Sequence, residues 1–150
     1  MATPVGLLGN RPASSARAVP NNLKIDTQIN PRMSLPKTLV IIETDPRTSA
    51  RPAEAIRIAA GIGAWKKTDV TLLLRGPVAG YSLQEYVDDL VDEDNFTRYL
   101  PLVAEQPRPI YVEETFTDLA ALEGSPWPYE VIGVAKTAEL LRENDYLIRL

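Results

Sequence analysis

Nine residues stand where this sequence could do chemistry: Thr44, Asp45, Arg47 and Ser49, then Arg75, Gly76 and Tyr81, then Glu113 and Lys136. Each follows closely on an apolar run of strand length. Carboxylates, guanidinium and ammonium groups, hydroxyls and phenols are what the chain has to offer, because its 150 residues include no cysteine and no histidine. That removes thiolate and imidazole nucleophiles and bases, the soft metal sites and the redox thiols. What remains is carboxylate acid–base work, contact with anions and hydrogen bonding.

The spacing narrows this further. Glu113 and Glu114 are neighbours on an extended segment, so their side chains point to opposite faces and cannot act as an acid–base pair. An ion pair of Glu113 with Arg75 or Lys136 is the expected use. Ser49 or Thr48 reads as a helix cap. Gly61 and Gly63 lie within a helix and not after a strand, so they serve close packing, and no GxGxxG loop exists. The acidic run from Asp88 to Asp94 lacks the glycine and ligand spacing of a calcium loop and reads as a solvated helix face. No catalytic residue, metal ligand or cofactor is assigned.

These positions must be held by the elements around them. Thr38-Leu-Val-Ile-Ile and Asp69-Val-Thr-Leu-Leu-Leu are continuous aliphatic runs, the pattern of parallel strands covered on both faces. Arg108-Pro-Ile-Tyr-Val, Tyr129 to Ala135 and Asp145-Tyr-Leu-Ile-Arg-Leu supply three shorter strands. Between them, helices are predicted from about Ser49 to Trp65, over Leu83–Leu90 with Ser82 and Glu85 as a capping box, over 95–105, around Phe116–Leu122, and over Thr137–Asn144. Alternation of strand and helix predicts an α/β fold, a three-layer α/β/α sandwich with a parallel sheet, flavodoxin-like in general architecture. In such sheets ligands sit beyond the carboxyl ends of the strands, which is where the nine residues fall.

Residues 1–36 read differently. Five prolines break any period, and an extended or disordered arm is expected, followed by one domain over 37–150. A start at Met33 is an alternative reading. Residues 1–37 hold five basic residues against Asp26, so they are net +4, and the rest of the chain is net −8. A total of −4 argues against nucleic acid as a partner. No apolar run approaches the roughly 18 residues of a membrane span, so no membrane partner is expected and the expected location is cytoplasmic. The helix ending at Trp65 has two apolar faces and only a narrow polar stripe of Glu54, Arg57 and Gly61. Its second face, with Ile58, Ile62 and Trp65, is expected to be covered by another subunit or by the arm.

Three segments carry a resemblance. Lys37-Thr-Leu-Val-Ile-Ile-Glu-Thr-Asp-Pro with Ala55-Ile-Arg-Ile-Ala-Ala, then Val70-Thr-Leu-Leu-Leu-Arg-Gly-Pro-Val, then Val134-Ala-Lys-Thr-Ala-Glu-Leu-Leu-Arg-Glu-Asn-Asp-Tyr-Leu-Ile are similar to the DsrE/DsrF-like family, which includes the TusD-type sulfur-relay subunits. The resemblance covers residues 37–150 and implies a five-stranded parallel sheet and assembly into dimers, trimers or hexamers. In sulfur-transferring members a cysteine at the end of the third strand carries persulfide. Here Glu113 falls about there, and a carboxylate cannot carry sulfane sulfur.

The expected function is a non-catalytic, oligomerising DsrE-like subunit that binds copies of itself or a related subunit, with a small polar ligand at the strand-end rim. Two alternatives remain. One is an enzyme using Glu113 as general base with Lys136 or Arg75 stabilising negative charge. The other is an accessory subunit of a sulfur-relay complex.

Overall fold

A computed structural model describes residues 34–150. The unit described below is Pro36–Leu150. The expected arm lies, as far as residue 33, outside the described residues.

Both long apolar runs form central strands, β1 (Lys37–Ile42) and β2 (Asp69–Arg75), and both are buried along their interiors. They pair in parallel, Lys37 opposite Asp69 through Ile42 opposite Leu74. Strands β3 (Ile110–Glu113) and β4 (Tyr129–Ile132) extend the sheet on one side, and β5 (Tyr146–Arg149) pairs with β1 on the other. The order is β4-β3-β2-β1-β5, parallel throughout.

That order dictates the layers. Crossovers between parallel strands are right-handed. The steps from β1 through β4 all move the same way, so their connections share one face: α1 (Arg51–Trp65), α2 (Pro77–Ser82) and α3 (Glu93–Ala104). The return from β4 to β5 runs the opposite way and places α4 (Val134–Glu143) on the other face. The core divides accordingly. On the three-helix face Val40, Ile42, Leu72, Leu74, Ile110 and Val112 pack against Ile56, Val78, Phe96 and Leu100. On the α4 face a smaller cluster joins Leu39, Ile41, Leu73, Tyr111 and Ile132 to Leu140.

Helix α1 uses much of its apolar surface within this chain. Ala53, Ala55, Ile56, Ala59, Ala60 and Gly63 are buried, and α1 packs on α3. Ile58 is half-buried, Ile62 packs partly against the core, and Trp65 is 68% exposed. Gly63 is the close-packing glycine, since a Cβ there would lie 2.6 Å from the Gln106 amide nitrogen. Gly61 faces open space and has no such role.

Several expected elements are displaced. Residues 83–90 are not helical; the short helix lies just before them, entered at Gly76 and Pro77. Proline at a first helical position marks a start. The apolar spacing of Leu83, Val87 and Leu90 arises because an irregular segment buries all three, while Tyr86 is exposed. Ser82 therefore caps nothing and is the last residue of α2. Strand β4 stops at Ile132, because Gly133 opens α4 three residues earlier than expected. The segment after β3 forms two 3-10 turns, Glu114–Phe116 and Leu119–Leu122, and not an α-helix. The acidic run straddles a turn and the start of α3, with Asp88, Asp89, Asp92 and Asp94 exposed. No helix among the described residues is long and apolar enough to cross a membrane.

Candidate functional site

The register of the sheet decides which strand-end residues meet. Parallel partners share a face, so Arg75 and Glu113 lie side by side on the α4 face. Glu43, two residues beyond Ile41, and Arg149, the partner of Ile41, fall on that face too. The result is a row of four alternating charges across β5, β1, β2 and β3.

Glu113 is buried, 3% exposed. The Arg75 guanidinium meets it with both prongs, Nε 3.1 Å from Oε2 and Nη2 3.3 Å from Oε1. The third nitrogen, Nη1, donates to Glu43 Oε1 at 2.9 Å. Arg149 Nε donates to the other Glu43 oxygen. Two carboxylates and two guanidinium groups thus balance. Such pairing is what a buried carboxylate requires.

Arg149 donating to Glu43 holds that carboxyl below its ordinary value of 4.5, against partial burial that pushes it up, with the charges of Arg149 and Arg75 adding to the lowering. The sign follows from linkage. A carboxyl lowered in the folded state contributes stability that is complete above its unfolded value and is lost as pH falls through the folded one. Arg149→Gln is therefore expected to flatten the loss of stability on acidification below pH 4.5. Urea midpoints of both proteins on either side of that pH measure it.

On the three-helix face a different arrangement forms. Asp45 accepts from Arg47 Nε at 3.1 Å and Nη2 at 2.8 Å, and from the Arg47 backbone N–H. These bonds lower the Asp45 pKa and raise that of Arg47. The guanidinium so held lies 4.2 Å from the ring centre of Tyr81, a cation–π contact. Arg47 and Tyr81 line a cleft of about 330 Å3 with Gly76, Pro77, Gly80 and Asp118. Gly76 enters α2 with φ of 79°, a conformation that favours glycine, and its N–H donates to Thr117 Oγ1.

The structure thus separates the nine residues. Arg47, Gly76 and Tyr81 share the cleft, with Asp45 holding Arg47. Arg75 and Glu113 form the ion row on the opposite face. Lys136 does not join Glu113; it lies in the first turn of α4 and bonds Glu139 at 3.0 Å. Thr44 is half-buried in the bend after β1. The cap position of α1 is Ala50, and Ser49, one residue earlier, accepts from the Arg51 N–H at 3.2 Å. Glu43 and Arg149 escaped the sequence reading, although their strand parity with Ile41 was a usable signal. Asp118 escaped it because the turns after β3 carry no period. Among the described residues no group of three or more His, Cys, Asp or Glu side chains is placed to hold a metal ion.

Comparison with solved structures defines the fold. The chain superposes on the crystal structure of the YchN protein from E. coli with a TM-score of 0.64 and 17% identity, covering 77% of this chain and 100% of that one. This likeness supports a DsrE/DsrF-like fold for the domain. No family model and no curated protein matches the sequence.

Proposed function

We propose that this chain is a non-catalytic DsrE-like subunit. It assembles with copies of itself, as a dimer, trimer or hexamer, or with a related DsrE-type subunit, and it has no persulfide chemistry of its own. A small polar ligand in the Arg47–Tyr81 cleft is part of this reading. The observation that carries it is the state of Glu113. Where sulfur-transferring members of the resembled family keep a reactive thiol, this chain has a carboxylate, buried and clamped by Arg75. A general base must reach a substrate proton, so the same burial weighs against the enzyme reading.

Native mass spectrometry of the expressed full chain is the test, because it reports stoichiometry, retained partner and bound small molecule together. A homo-oligomer, or a complex with a related subunit that itself lacks the cysteine, supports the reading. A monomer that retains neither overturns it. Co-purification with a cysteine-bearing relative alone favours the accessory-subunit reading.

A further inference from the structure

On the α4 face of the sheet three large apolar side chains stand out into solvent: Val134 is 68% exposed, Leu147 55% and Leu141 47%. Val134, Ala138 and Leu141 form one stripe of α4, spaced four and three residues apart. Leu147 is the register partner of Leu39, a member of the α4-face cluster, so Leu147 faces the same way. Handedness relates the stripe to the sheet. Leu140 packs down onto the strands. In a right-handed helix reached by a right-handed crossover, that turns the stripe toward β5 and Lys136 toward β3. Lys136 accordingly lies within electrostatic reach of Tyr111 on β3. The result is an apolar ledge, floored by Leu147 and walled by the Val134–Ala138–Leu141 flank.

Charge decides what can cover this ledge. Lys136, Arg142 and Arg149 balance Glu139, Glu143 and Asp145, so residues 134–150 are neutral. The net −8 of residues 38–150 therefore sits elsewhere, where it sets two copies of the chain against each other. The ledge lets two copies meet without that repulsion. Its shape fits as well. Packed helices lie about 8–10 Å apart, which puts a second α4 beside the first, above Leu147 and the edge of β5. Only a two-fold axis along the helices keeps the two sheets on opposite sides of that pair. Each α4 then turns its outer side to the β5 edge of the other copy. That side carries Ala135 and Ala138, small enough for close approach, and the exposed Arg142. The exposed Asp145, opposite in sign, stands at the foot of β5 to meet it.

We propose that the α4–β5 ledge is the contact face for a second copy of this chain. The two α4 helices lie side by side, Val134 against Val134 and Leu141 against Leu141, and each covers the other copy's Leu147. The contact is isologous, so it uses the same patch twice and closes at two copies. It adds no strand to either sheet, and it joins copies that each carry their own core. Association reads it, and unfolding of one copy does not. This inference rests on the assembly proposed above and names the surface that assembly uses.

The absence of cysteine makes one introduced thiol a clean reporter. In the full-length protein, Leu141→Cys is expected to oxidise to a disulfide-linked pair, because the axis brings that position against its own counterpart. Leu102→Cys, at an exposed site on α3, is expected to stay reduced. Leu147→Glu buries an unpaired charge at the contact and should weaken association by more than about ten-fold in sedimentation equilibrium. Its circular dichroism should match the parent, since Leu147 is outside the core. An oligomer in which Leu141→Cys stays reduced, or links no more than Leu102→Cys, overturns this contact and leaves the assembly reading standing. So does an oligomer that Leu147→Glu leaves unchanged, or a link from Leu141→Cys to a different protein. A parent protein that is monomeric at every concentration and retains no partner overturns both.

Discussion

Arg75→Met is expected to lower stability by about 3–5 kcal/mol, because it leaves the buried Glu113 carboxylate without its cation. For a domain of this size that corresponds to a fall in melting temperature of roughly 10–20 °C. Lost packing is not the cause, since methionine keeps most of the arginine stem. The double variant R75M/E113L separates the two explanations. With both charges gone nothing is left uncompensated, and hydrophobic replacement of a buried pair is often neutral or better. Thermal melts should show the double variant regaining most of the loss. If it melts as low as Arg75→Met alone, the ion row is not what holds these strand ends. Glu43 remains paired with Arg149 throughout, so it adds no new orphan charge.

The second large effect belongs to the thin side of the sheet. Helix α4 buries one residue fully, Leu140, against Leu39, Ile41, Leu73, Tyr111 and Ile132. Truncating a buried leucine costs about 2–5 kcal/mol from lost transfer energy and the cavity left behind. Leu140→Ala should fall in that range and act locally as well. Amide exchange is expected to quicken in α4 and β5 before it does in β2. Leu141→Ala, at a side chain 47% exposed, should stay within about 0.5 kcal/mol of the parent. Chemical denaturation of both variants checks the contrast, and equal losses would mean that α4 is not held by Leu140.

These two sites also show what the sequence could disclose. Strands β1 and β2 were legible because a strand covered on both faces is apolar at every position, whatever surrounds it. Helix α1 was legible from its 15-residue length and Pro52. The segment after β2 was misread because three buried side chains in an irregular segment imitate helical spacing, and only Pro77 told where the helix was. Residue-level pairing was harder. That Arg75 and not Lys136 meets Glu113 depends on strand register and on where α4 begins. Gly133 sets that start, and Lys136 turns with the helix toward Glu139. The rim was readable as a location, but its division between two faces of the sheet was not, because that follows from strand parity and order taken together.

Strand β5 buries little of itself: Tyr146 is 62% exposed and Leu147 55%. Measured by core area it looks dispensable. Its four residues nonetheless pair along Thr38–Ile41 of the strongly aliphatic strand β1. Without them β1 would present an unpaired, uncharged row of amides and carbonyls flanked by Leu39, Val40 and Ile41, which is a template for chain-to-chain strand addition. Lys37 at one end and Glu43 just past the other would be the charges that the described residues of β1 place on that edge. The worth of β5 therefore lies less in holding the fold together than in keeping one molecule from sticking to the next.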